Sequence, residues 1–289
     1  MNKVRVCRSR DVTDIPLHRQ LYESLLLATE RDESGGLRAD GSARRTRVTL
    51  GLHPRVSRSR WGVDSMTRLR ATVASYVGVL LYASFIFLGA WRLMYWQALL
   101  YVATALVGAT LSSLLVPSGS DITAERASKA AAGQDWDKRI LGAYFLVSVV
   151  TFVIAGLDSG RFGWSGAVPL GVTVAGVVLM LLGQLIFAVA KRQNQFFSST
   201  VRIQHERGHR VCDTGLYQYV RHPGYLGMLI ALLAFPLLIN SYWAFIPAAC
   251  GAALLLIRTA IEDRVLTAEL PGYREYAART RWRLIPAVF

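Results

Sequence analysis

The chain has little of what a soluble enzyme or a metalloprotein needs. It has 3 cysteines among 289 residues (Cys7, Cys212 and Cys250), with no CxxC and no Cys/His pairing, so neither a disulfide framework nor a metal site is expected. No GxGxxG occurs, which leaves a Rossmann-like nucleotide domain without support. Charged residues make up only 18% of the chain, and lysine supplies 4 of its 33 basic residues. A typical soluble domain carries about 25% charged residues. Hydrophobic residues reach 53%, and the mean hydropathy is +0.32. Those values point to a membrane protein. The net charge of +14 sits between the long apolar runs, as in loops flanking membrane spans, and this argues against a nucleic-acid-binding domain.

Residues 1–65 hold 13 Lys/Arg and 8 Asp/Glu among Ser, Gly and Thr, with only Leu25, Leu26 and Leu27 to seed a core. The composition predicts a disordered extension. It lacks a signal-peptide apolar region, and Met66, just ahead of a long apolar run, would serve as a natural start, so the extension reads as a mis-annotated N-terminus. A targeting helix over Leu17 to Ala28 is the functional alternative.

From residue 71 six apolar runs approach the roughly 20 residues needed to cross a bilayer: 71–90, 94–116, 140–157, 167–190, 224–239 and 242–257. The last two, separated by Asn240 and Ser241, predict a tight helical hairpin. The expected fold is therefore an all-α, polytopic membrane protein with about six spans. Residues 66–190 carry the first four spans, and residues 191–289 a core of loop, hairpin and C-terminal helix. Six spans place 15, 4, 6 and 6 basic residues in the segments of one face, 31 of the 33, leaving Arg92 and Arg161 for the other. The positive-inside rule makes the basic face cytoplasmic, with both termini inside. Fusing the last two runs into one broken helix would put the basic C-terminal tail outside, which disfavours five spans.

Spans alone do not select a function. The runs hold almost no ionisable residue, whereas ion relays place Asp, Glu, His or Arg at membrane depth, so transport fits poorly. Polar groups concentrate in residues 191–225 and 258–286, including His205, His209, His222 and the pair Glu262 and Asp263. Pro223 suits the first turn of a helix, which places Arg221 and His222 at a helix N-terminus able to dock a carboxylate. Arg258 and Glu262 stand four residues apart on one helical face, either as a solvated ion pair or directed into a shared pocket. Tyr273, Tyr276 and Trp282, with Arg279, Arg281 and Arg283 beside them, read as a membrane-interface segment that could also close over a ligand. The loop Asp121 to Arg139 reads as an ordinary polar linker.

An ordered set of short matches gives this region a family likeness. It runs through Asn194-Gln195-Phe196-Phe197, Arg207-Gly208-His209-Arg210-Val211, Gly215-Leu216-Tyr217 and Arg221-His222-Pro223-Gly224-Tyr225-Leu226-Gly227. It resumes at Arg258 to Asp263, Gly272-Tyr273, Tyr276 and Leu284-Ile285-Pro286. Over residues 190–286 the sequence resembles the isoprenylcysteine carboxyl methyltransferase family, which is also similar to phospholipid N-methyltransferases. The resemblance implies S-adenosylmethionine as methyl donor, bound in a cytoplasmic pocket formed by loop 191–223 and the C-terminal segment. The implied cofactor-binding residues are His209, Arg210, Val211, Cys212, Gly215, Tyr217, His222, Pro223, Gly224, Tyr225 and Glu262. Arg258, with Arg221, is implied as the catalytic pair, Arg258 facing a prenylated or other lipophilic acceptor that enters from the bilayer. The sequence departs from the family at Leu216, Gln218 and Asp263, where Pro, a basic residue and Glu are common. Cys212 reads as a small buried residue rather than a reactive thiol. The alternatives are a phospholipid N-methyltransferase, an NADPH-dependent membrane lipid reductase on a shared scaffold, and a protein that has kept the fold without turnover.

Overall fold

The structure, a computed structural model, describes residues 58–115 and 134–289, with side chains from Leu69 onward. The expectations for residues 1–57, and most of the linker 121–139, lie outside the described residues. The rest is helical: α1 (Arg58–Ala90), α2 (Trp96–Leu115), α3 (Asp135–Ala155, prolonged by a π turn over Gly156–Phe162), α4 (Leu170–Gln193), α5 (Pro223–Ile239), α6 (Phe245–Glu269) and the short α7 (Tyr273–Arg279).

Each of the six apolar runs falls on one of α1 to α6. Five of these helices are long and apolar enough to cross a membrane, whereas α5 has 17 residues. At 1.5 Å per residue α5 extends about 25 Å, short of the roughly 30 Å of a hydrocarbon core. Pro223 at its first turn and Asn240 beyond its end, in the left-handed region at φ 61°, set both limits. The turn over Ser241–Ala244 then reverses the chain into α6, so the two helices form the expected hairpin rather than one broken span.

Glycine determines how closely the helices approach. A Cβ on Gly183 of α4 would lie 2.6 Å from the Gly227 carbonyl oxygen, and one on Gly227 of α5 would lie 2.5 Å from that of Gly183. Neither position accepts a side chain while the backbones touch there. This is the small-residue contact by which helices pack where water supplies no driving force. It sets the start of α5 beside the end of α4. Around it Phe235 of α5 stacks on Phe152 of α3 at 4.3 Å, and Tyr101 of α2 meets Phe235 edge-on at 5.3 Å.

One end of the bundle is tied by a buried carboxylate on the π turn. Asp158 accepts hydrogen bonds from the Ser165 amide (2.8 Å), the Ser165 hydroxyl and the Ser241 hydroxyl (2.6 Å). Around it Trp164 stacks on Phe162 and meets Trp243, and Arg161 lies over the Trp91 ring. The other end gathers the start of α3, the end of α4, the start of α5 and the C-terminal half of α6.

Candidate functional site

At that second end the loop between α4 and α5 folds back over α6 and α7 to form a partly open cavity. Three local features shape it. Gly215, at φ 63°, turns the chain tightly against Gln193, whose Oε1 accepts from the Leu216 amide at 2.9 Å. Tyr217 is buried next to that turn. The Arg221 and His222 amides donate to the Trp282 and Arg283 carbonyls, both at 2.9 Å, which anchors the C-terminal tail to the start of α5.

Of the residues implied by the resemblance, His209, Arg210, Val211, Cys212, Tyr217, Arg221, His222, Gly224, Tyr225 and Glu262 line this cavity. Gly215, Pro223 and Arg258 do not. Gly215 serves the turn and Pro223 opens α5, so both shape the site through the backbone. Arg258 lies instead on a small apolar crevice formed with Ile140, Leu141 and Tyr144 of α3, Met228 of α5 and Leu254 and Leu255 of α6. Tyr225, on the cavity, stands next to Arg258: its hydroxyl donates to Glu262, and its ring lies 5.2 Å from the Arg258 guanidinium.

Arg258 and Glu262 are therefore not the solvated i,i+4 pair. Arg258 is 5% exposed and binds Asp137 of α3, Nε to Oδ1 at 2.7 Å and Nη2 to Oδ2 at 3.3 Å. Asp137 belongs to the stretch read as ordinary linker, yet it is fully buried. Asp263, where the family commonly has Glu, is also buried and collects four donors. They are Arg221 Nη1 (3.1 Å), Arg283 Nε (2.9 Å), the Tyr273 hydroxyl (2.9 Å) and His222 Nε2 (3.3 Å). A carboxylate of the protein thus occupies part of the anion-binding potential expected at Arg221 and His222.

The reading of Tyr273 and Tyr276 as interface aromatics is corrected. Both are buried and line the cavity, with the Tyr276 hydroxyl donating to the Tyr217 carbonyl at 2.7 Å. Burial holds both phenols well above their ordinary pKa, so they act as fixed hydrogen-bond donors. Sequence reasoning also missed the wall formed by Asn194, Phe196, Phe197 and Thr200, although three of these stood in the matched text. Leu266 and Leu270 of α6 complete the apolar side.

Two charged or titratable groups are notable on the polar side. Arg221 Nε is buried and, among the described residues, takes no hydrogen bond. His209 Nδ1 accepts from the Gln204 amide at 3.3 Å, and its ring lies 4.5 Å from Phe196. Burial, reinforced by Arg207 and Arg202, lowers its pKa to about 4, so the ring is neutral near pH 7. Among the described residues no cluster of His, Cys, Asp and Glu could hold a metal ion.

Comparison with known proteins locates the likeness on this same end of the bundle. Residues 174–268 match the model of the isoprenylcysteine carboxyl methyltransferase (ICMT) family. The chain is 32% identical over 135 residues to the cobalt-zinc-cadmium resistance protein CzcN of Cupriavidus metallidurans, covering 46% of this chain and 58% of that protein. It is 35% identical over 60 residues to a probable protein-S-isoprenylcysteine O-methyltransferase from each of the indica and japonica subspecies of Oryza sativa, covering 20% of this chain and 31% of theirs. The chain thus spans little more than half of the first relative and about a third of the rice proteins.

Proposed function

From the match of residues 174–268 to the isoprenylcysteine carboxyl methyltransferase family model we propose that the protein is a membrane-embedded methyltransferase. It uses S-adenosylmethionine and methylates the carboxylate of a prenylcysteine-like or other lipophilic acceptor. One observation carries the reading: the Arg221 guanidinium, the Glu262 carboxylate and several aromatic rings line a single cavity.

Those groups fit the cofactor part by part. Arg221, which lines the cavity, and the first amides of α5 suit the amino-acid carboxylate. Glu262 and the Tyr225 face suit a sulfonium cation. Tyr217, Tyr276, Leu266 and Leu270 offer apolar walls to a flat base. Bound there, S-adenosylmethionine supplies an electrophilic methyl group.

The protein's own contribution is placement. An acceptor carboxylate is already ionised at neutral pH, so displacement needs alignment and exclusion of water more than a general base. Arg258, its guanidinium 5.2 Å from the Tyr225 ring, would orient that carboxylate. The concentration of Lys and Arg in the segments at this end supports a cytoplasmic cavity, with the acceptor arriving through the bilayer.

Calorimetry on the detergent-purified chain tests the reading, with S-adenosylmethionine compared with NADPH on wild type, His222→Ala and Glu262→Ala. The expected result is binding of S-adenosylmethionine, weakened by both substitutions, followed by methyl transfer to a farnesylated cysteine. Binding of NADPH alone would make the protein a reductase on a related scaffold.

A further inference from the structure

The buried ion pair between Asp137 and Arg258 joins two parts of the chain 121 residues apart, and only Arg258 lies within the family-matched segment. An isolated carboxylate at full burial is strongly disfavoured, and the guanidinium opposite it compensates that cost. The pairing is asymmetric, however. Asp137 takes the Nε and Nη2 edge of the guanidinium, and the Ser199 carbonyl takes a further Nη2 contact at 2.9 Å. Among the described residues Nη1 takes no hydrogen bond, and Arg258 borders the apolar crevice. The guanidinium thus keeps a donor edge free for a further acceptor. Asp137 Oδ2 also accepts the Val201 amide at 2.9 Å, and Ser198, Thr200 and Val201 line the large cavity. One carboxylate therefore fixes both the arginine and the loop that walls the cavity.

We propose that Asp137 is the positioning residue of the site: it clamps one edge of Arg258 so that the Nη1 edge is presented to the acceptor, and it locks residues 198–201 as the cavity wall. This rests on the methyltransferase reading for its kinetic consequence. By cancelling the arginine charge, Asp137 also leaves Arg258 to hold the acceptor through directed N–H groups rather than as a bare cation. A guanidinium that swings by about 1 Å can cost on the order of a hundredfold in rate, which gives the expected scale of the effect.

The test is Asp137→Asn, isosteric but uncharged, beside Arg258→Met, in the full chain. With S-adenosylmethionine and a farnesylated cysteine, Asp137→Asn is expected to lower the acceptor kcat/KM at least tenfold at saturating cofactor, with the cofactor Kd rising by a clearly smaller factor as the Ser198–Val201 wall loosens. A merely structural role would move both constants together, and that outcome, or an unchanged kcat/KM, overturns the proposal. Hydrogen exchange at the Val201 amide gives a readout independent of turnover, expected to rise at least tenfold in both variants. If wild type transfers no methyl group, the functional reading fails and exchange decides alone: unchanged protection at Val201 in Asp137→Asn refutes the clamp.

Discussion

Arg221 Nη1 meets Asp263 Oδ2 at 3.1 Å while its Nε, buried in the cavity wall, takes no hydrogen bond among the described residues. The protein thus anchors this guanidinium in the cavity wall, and a ligand carboxylate that draws the Nε–H out of the wall would satisfy it. A buried donor without an acceptor costs about 1–3 kcal/mol. A ligand that fills it recovers that cost on binding.

Lysine at 221 separates the two roles, because an ammonium can still pair with Asp263 but has no second edge to offer. Arg221→Lys is expected to weaken S-adenosylmethionine binding about tenfold, corresponding to roughly 1.4 kcal/mol. Its thermal midpoint should stay near wild type. Calorimetry and a melting curve on the same preparation check both; equal affinity would remove Arg221 from the cofactor site.

Asp263 governs more than Arg221, since Arg283, Tyr273 and His222 also converge on it. Asp263→Ala leaves buried donors and positive charge without their acceptor, and losing one member of such a cluster typically costs about 3–5 kcal/mol. A marked fall in thermal stability is expected, together with faster proteolysis of the tail after Tyr273. Asp263→Asn, which keeps one acceptor oxygen, should lie between wild type and Ala. A melting series over the three proteins decides.

The apolar architecture was legible in the sequence because span length and charge placement are local properties. The six runs mark α1 to α6, and the only shortfall is α5, whose limits come from the cap geometry of Pro223 and Asn240. The motif from Arg221 to Gly227 likewise locates a real concentration of cavity residues. Asp137 was not legible, because an acid at the edge of a polar stretch looks solvated until a partner 121 residues away buries it. Tyr273 and Tyr276 were misread for a related reason: aromatics beside arginines describe a membrane interface and a cavity wall equally well. Their burial depends on the Tyr217 carbonyl and Asp263, which lie on other elements.

The neutral state of His209 has a pH signature. Its folded pKa of about 4 lies below the roughly 6.5 of an unfolded histidine, so the unfolded chain binds the proton first as pH falls. By linkage this group has no effect above about pH 6.5, destabilises the fold increasingly between 6.5 and 4, and adds nothing further below. His209→Gln should therefore flatten the stability profile within that window. Chemical denaturation at intervals from pH 7 to pH 4 measures it, and parallel profiles for the two proteins would contradict the buried neutral ring.

The backbone contact between Gly183 and Gly227 makes the strictest structural prediction. Gly227→Val adds a branched side chain where a Cβ alone would stand 2.5 Å from the Gly183 carbonyl oxygen, so α4 and α5 must separate. Overpacking of this kind costs about 1–3 kcal/mol or more, and here the obstacle is backbone that cannot change rotamer. Separation would also displace the start of α5, which carries His222, Gly224 and Tyr225 into the cavity. The variant should lose both thermal stability and cofactor affinity, whereas Gly78→Val, at a helical glycine with nothing within 4 Å of an added Cβ, should lose neither. Comparing the two valines in one melting and binding series isolates the helix contact from the general cost of replacing glycine. If Gly227→Val binds S-adenosylmethionine as tightly as Gly78→Val, the close approach of α4 and α5 is not what places the site.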